Sequence, residues 1–151
     1  MPKASTLRKA RRDARAGKSP STQAGEFVRE EIDEIRAGKH GARSAKQAIA
    51  IGLSKARRAG VDLPPPKRGS TSEATRRNAQ RAYEAGHSGH AKKPNPKRSR
   101  ATLRALRREG SAAVTPSALS RQAREQARTR TPAERSASAR KAARTRKQHA
   151  S

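Results

Sequence analysis

Large apolar residues crowd into one stretch of the chain. Nine of the fourteen Leu, Ile, Val and Phe residues lie between positions 24 and 63. There, Val28, Ile32 and Ile35 recur at the spacing of one helix face, with Glu26, Glu30, Asp33 and Glu34 on the opposite side. The pattern predicts a helix over 25–37, stopped by Gly38. A second helix is predicted to open at Ser44-Ala45-Lys46-Gln47, a capping-box sequence, and to end at Gly60. Its narrow face carries Ala45, Ala48, Ile49, Gly52, Leu53 and Ala56, small enough to admit another helix closely. Joined by Gly38-Lys39-His40-Gly41-Ala42-Arg43, the two read as an αα-hairpin over 24–63. Ile51 points off the inner face, so it is expected to be exposed or to be covered by another segment or, through self-association, by a second copy of the hairpin. The acidic side of the first helix is expected to complement its own N-terminus or to dock a basic segment.

Outside the hairpin the pattern thins. Ser70-Thr71-Ser72-Glu73 reads as another helix start, with Ala79, Ala82 and Tyr83 placed to dock a helix over 71–85 within a Pro- and Gly-punctuated linker, 64–98. Pro64-Pro65-Pro66 reads as a stiff extended spacer. A short helix is predicted from Ser99 to Glu109, with Leu103 and Leu106 on one side. Residues 115–130 and 131–146 repeat one another with nine identities in sixteen, each unit opening on Thr-Pro. Neither repeat has an apolar face, and Arg124 and Arg128 repel at i, i+4, so both are expected to become helical mainly against a polyanion.

Composition sharpens this picture. The 38 Lys and Arg against 12 Asp and Glu give a formal net charge of +26, and Arg outnumbers Lys by 26 to 12. Leu, Ile, Val and Phe make up fourteen of 151 residues, well below the ~20% under which a highly charged chain is expected to be disordered. The predicted fold class is therefore mostly disordered and all-α where ordered: a small αα-hairpin flanked by basic Ala/Arg-rich arms with short transient helices. Residues 1–23 are the basic disordered N-terminal arm and 99–151 the basic tail. No apolar run approaches the ~18 residues of a membrane span, and the start of the chain lacks the apolar core of a secretory signal. A soluble, cytoplasmic protein without membrane contact is expected.

The residues offer little for catalysis. His87 and His90 make an H-x-x-H without further ligands nearby, a weak metal signal. His40 and His149 read as unpartnered. No Gly-rich phosphate loop, nucleophile elbow or dinucleotide fingerprint occurs. The expectation is a non-enzymatic protein with no metal, cofactor or small-molecule substrate. For nucleic acid the charge speaks directly, because each cation set on a phosphate releases a condensed counterion. The candidate contacts are Arg8, Arg11, Arg12, Lys46, Arg57, Arg58, Lys67, Arg68, Arg76, Arg77, Lys97, Arg98, Arg107, Arg108, Arg121, Arg124, Arg128, Arg140, Arg144 and Lys147, with Lys92-Lys93 a further cluster. Only Phe27 and Tyr83 are aromatic, too few for base-stacking platforms, so duplex DNA is favoured over single strands. RNA or ribosome association, and a protein-interaction adaptor built on the hairpin, are the alternatives.

The run Lys46-Gln47-Ala48-Ile49-Ala50-Ile51-Gly52-Leu53-Ser54-Lys55-Ala56-Arg57-Arg58-Ala59-Gly60 resembles the core of a family of small basic bacterial proteins of unknown function, some described as candidate DNA-binding proteins. The resemblance extends to the acidic helix before it, the Pro-Lys-Arg-Ser-Arg segment at 96–100 and the Ala/Arg/Lys tail. It implies a bacterial source and a cytoplasmic, nucleoid-associated location, and brings no established activity or mapped site. The tail also resembles those of bacterial histone H1-like proteins, though richer in Arg.

Overall fold

A computed structural model of the chain describes residues 1–89 and 92–150. The expectation of a mostly disordered chain is overturned: about 70% of it is helical, with seven α-helices and no strand among the described residues. They are α1 (Ala4–Arg15), α2 (Pro20–Arg36), α3 (Ala45–Arg58), α4 (Glu73–His87), α5 (Pro96–Arg107), α6 (Pro116–Arg128) and α7 (Pro132–His149), with a 3-10 turn at Ala112–Val114. The chain divides into two compact units, Met1–Thr115 and the segment from Pro116 onward.

In the first unit α2 is central, packed between α1 and α3, and α4 lies on α3. The local sequence starts each helix. Ser19 caps α2 by accepting from the Thr22 N–H, with Pro20 in the first turn, where a missing N–H costs nothing. Ser44 caps α3 by accepting from the Gln47 N–H at 3.1 Å, while Gln47 Oε1 reaches back one residue further than a capping box requires, to the Arg43 N–H at 2.7 Å. The start of α4 is Ser72, two residues beyond the expected Ser70, and α5 starts on Asn95, which accepts from the Lys97 and Arg98 N–H groups.

Two apolar clusters hold the unit. Ala10, Ala24, Phe27, Ala56 and Val61 join α1, α2, α3 and the chain beyond α3, with Leu7, Leu53 and Leu63 against them. Ile35, Ala42, Ala48 and Val114 join α2, the turn, α3 and the 3-10 turn. Burial of side chains such as Phe27 and Ile35 contributes roughly 1.5–3 kcal/mol each. Ala and Gly bring the backbones together elsewhere: a Cβ on Gly52 would lie 2.6 Å from Val28 Cα. A count of large aliphatic residues misses this close packing of small ones, which is why composition argued for disorder.

Further segments of the same chain pack on the hairpin. Residues 1–23 are not an arm; they form α1 and the first turn of α2, with Thr6, Ala10 and Asp13 buried and Asp13 paired with Lys18 at 2.9 Å. The end of α5 and the segment after it return to the end of α2 and the α2–α3 turn, where the Gly41 N–H donates to the Leu106 carbonyl at 2.9 Å, the Ala42 N–H to the Gly110 carbonyl at 3.2 Å, and Arg36 to the Val114 carbonyl at 3.1 Å. Gly41 faces the Glu109 carbonyl so closely that no side chain fits there.

In the second unit α6 and α7 bury no residue. The repeats, expected as transient helices, are helical without a polyanion. Ala, Arg, Gln and Lys all favour helix, and α7 adds a complete capping box in which Thr131 and Glu134 exchange bonds of 2.8 and 3.2 Å.

Candidate nucleic-acid interface

Within the first unit, α3, α4 and α5 border an open groove of about 1120 Å³. Ile51, Leu103 and Leu106 line it together with Arg58 of α3, Arg81 of α4, Arg98 and Arg107 of α5, and Lys92 and Lys93 between α4 and α5. Ile51 is thus half-buried on this groove. Packing of α4 on α3 sets Arg58 and Arg81 relative to one another, and the Leu106 carbonyl, bonded to the Gly41 N–H, ties the end of α5 to the same unit. Such a basic concavity concentrates field and attracts phosphate.

Of the sequence-predicted contacts, Arg8, Arg11 and Arg12 are exposed on α1, Lys46 and Arg58 on α3, Lys67 and Arg68 after it, Arg77 on α4, and Lys97, Arg98, Arg107 and Arg108 on or beside α5. Arg121, Arg124 and Arg128 on α6, and Arg140, Arg144 and Lys147 on α7, are exposed in the second unit. Arg76 is half-buried and pairs with Glu73 at 3.4 Å. Arg57 is the correction: expected to face outward, it is 7% exposed. Its Nε donates to the Leu63 carbonyl at 3.0 Å and its NH2 to the Pro64 carbonyl at 3.3 Å, fastening the Pro-rich segment to α3. Burial pushes this guanidinium below its usual pKa range. Arg81 went unpredicted; its signal was the i, i+4 spacing from Arg77 on a helix whose buried face is Ala79 and Ala82.

Of the acids expected on the outer side of α2, Asp33 is exposed and Glu26 and Glu34 are half-buried, but Glu30 is buried, as is its neighbour Glu31. Glu30 is 5% exposed and accepts from the Lys3 N–H at 2.9 Å, and Glu31 is fully buried, bonded to Lys55 Nζ at 2.5 Å. Partial burial lowers the Lys55 pKa, but the hydrogen bond and charge of Glu31, with Glu34 and Glu30 behind it, outweigh that and hold the ammonium above its ordinary value. His40, expected unpartnered, lies between Glu31 and the Gly41 carbonyl. Among the described residues, Glu31, Glu34 and His40 have donor atoms grouped closely enough for a metal ion. His87 ends α4, stacked on Tyr83 at 4.1 Å between ring centroids, with Nδ1 2.8 Å from the Tyr83 carbonyl oxygen. His90 lies outside the described residues, so the predicted His87/His90 pair is not seen as a unit. His149 is the last residue of α7.

Aromatic rings are not offered for stacking on bases. Phe27 is 1% exposed, in the core. Tyr83 lies against His87 and its hydroxyl donates to Asp62 at 2.6 Å, the bond that raises its pKa, with desolvation and the Asp62 charge adding to the effect.

These features define a small, strongly basic, all-helical protein. The family DUF6496, a family of unknown function, matches residues 15–68, which span α2, α3 and the hairpin between them. Neither the curated proteins nor the solved structures contain a match to the chain. No helix among the described residues is long and apolar enough to cross a membrane.

Proposed function

We propose that this protein is a non-enzymatic, nucleoid-associated binder of duplex DNA, acting by phosphate neutralisation without sequence preference, in the manner of histone-like proteins. The observation that carries the reading is the assembly of Arg58, Arg81, Lys92, Lys93, Arg98 and Arg107 around one groove, in a chain whose α6 and α7 add further exposed cations. Bidentate Arg contacts suit phosphate, and each one releases condensed counterions. Buried or engaged aromatic rings favour duplex over single strands. The alternative of a protein-binding adaptor draws on one observation: Leu103, on the same groove, is 37% exposed.

Replacing Arg58, Arg81 and Arg98 together by Gln is expected to lower duplex-DNA affinity at physiological salt by more than tenfold. The same three-charge change at Arg135, Arg140 and Arg144 is expected to cost less. Fluorescence anisotropy with one labelled duplex compares them. Equal losses would reduce the groove to ordinary charge, and no binding to any nucleic acid would remove the proposed function.

A further inference from the structure

Glu31 is a carboxylate with no access to solvent. Lys55 satisfies its Oε2, whereas its Oε1 is buried without a hydrogen bond, 2.9 Å from His40 Nε2. The other ring nitrogen, Nδ1, lies 3.0 Å from the Gly41 carbonyl oxygen. A carbonyl only accepts, so Nδ1 carries the proton of the neutral imidazole, and Nε2 keeps a lone pair 2.9 Å from Glu31 Oε1 without the alignment of a hydrogen bond. Two lone pairs at that distance repel inside a protein, and a cation between them relieves the repulsion. It is either a second proton on the ring or a metal ion.

A third donor favours the metal. Glu34, on the next turn of α2, is held only loosely: its oxygens lie 3.6 Å from Lys39 Nζ and 3.5 Å from Lys55 Nζ, both beyond a good hydrogen bond. One ligand atom each from Glu31, Glu34 and His40 lies within 4.8 Å of the others. We propose that Glu31, Glu34 and His40 form a binding site for a divalent transition metal such as zinc. Zinc accepts imidazole and carboxylate donors at about 2.0–2.2 Å, so two donors 2.9 Å apart can share one ion. Nδ1 donating to a backbone carbonyl is the usual arrangement behind a ligating His, and the Lys55 ammonium on Oε2 orients the ligating carboxylate in the same way. One imidazole with only two carboxylates suits calcium or magnesium poorly, since these ions prefer six or more oxygen ligands, waters included. All three residues line the groove, and Glu34 and His40 are only half-buried on it, which gives the ion an entry path to Glu31 behind them. The site is independent of the nucleic-acid reading.

The ion would clamp α2 to the turn whose Gly41 and Ala42 hold the segment after α5, so loading should stabilise the first unit. The test is calorimetric titration of zinc into the full-length, metal-free chain without a histidine tag, with cobalt absorption and thermal melts alongside. One zinc per chain at micromolar affinity or tighter, a rise in Tm and cobalt bands in the visible are expected. His40→Ala and Glu34→Gln, which spare the buried Glu31–Lys55 bond, should each weaken binding at least tenfold, while His87→Ala should leave it unchanged. No saturable binding at millimolar zinc, or binding that survives His40→Ala or is lost with His87→Ala, would overturn the site. Nitrogen NMR showing both His40 ring nitrogens protonated in the presence of zinc would overturn it too, because the proton then occupies the gap.

Discussion

Gly52→Ala is expected to destabilise the first unit by about 1–3 kcal/mol, although Ala is the better helix former. The new methyl would lie 2.6 Å from Val28 Cα, an atom of the α2 backbone that cannot turn aside as a side chain tip does, so the two helices must separate. Separation withdraws the Ala and Leu side chains of α3 from Phe27 and Ile35 together, the two largest fully buried apolar side chains. Gly52→Leu should go further and leave little folded protein at growth temperature. The control is Gly25→Ala in α2, where nothing lies within 4 Å of the added carbon; it should stabilise by roughly 0.5–1 kcal/mol. Thermal melts by circular dichroism read both signs in one experiment. A Gly52→Ala variant as stable as the parent would contradict the α2–α3 packing on which the unit is built.

Removing the chain from Pro116 onward is expected to have the largest effect on binding. That segment carries ten Lys and Arg against two Glu, all on or beside helices that bury nothing. The shortened protein keeps α1 to α5 with both core clusters, so its helices should melt at nearly the parent temperature. Its duplex-DNA binding should weaken steeply. For every phosphate that the shortened protein leaves un-neutralised, the log-log salt dependence flattens by about 0.9, and ten cations bound that change at roughly 9. A slope unchanged by the truncation would place the whole interface within Met1–Thr115.

Legibility in the sequence followed the range of the forces involved. For α3 the predicted Ser44 start and Gly60 stop bracket the observed Ala45–Arg58, because cap, apolar stripe and stop lie within one short stretch. Ser19-Pro20 is an equally plain start for α2, obscured by the high positive charge of residues 1–23. For α1 the buried face is Thr6, Ala10 and Asp13, two of them polar, so no hydrophobic periodicity marks it. In the tail, favourable propensity and the Thr131 cap outweigh repulsion between like charges. What the expectation of disorder missed was tertiary: Ala and Gly packing whose value depends on which backbone lies opposite. The groove and the Glu31–His40 cluster are hidden for the same reason. The groove joins positions from different helices, and no spacing along the chain brings Arg81 to Arg98; Glu31, Glu34 and His40 are near in sequence, but the turn after α2 folds back in a way their spacing does not specify. Arg57 shows the reverse error, since the helix wheel turns it outward while the chain reversal beyond Gly60 brings carbonyls back over it.

The central claim is tested most directly by a salt titration of full-length protein against length-matched duplex DNA, duplex RNA and single-stranded RNA. The account predicts a steep negative slope on duplex DNA, tightest binding to that ligand at physiological salt and little dependence on its sequence. Tighter binding to either RNA, or a shallow slope with weak binding to all three, would contradict it.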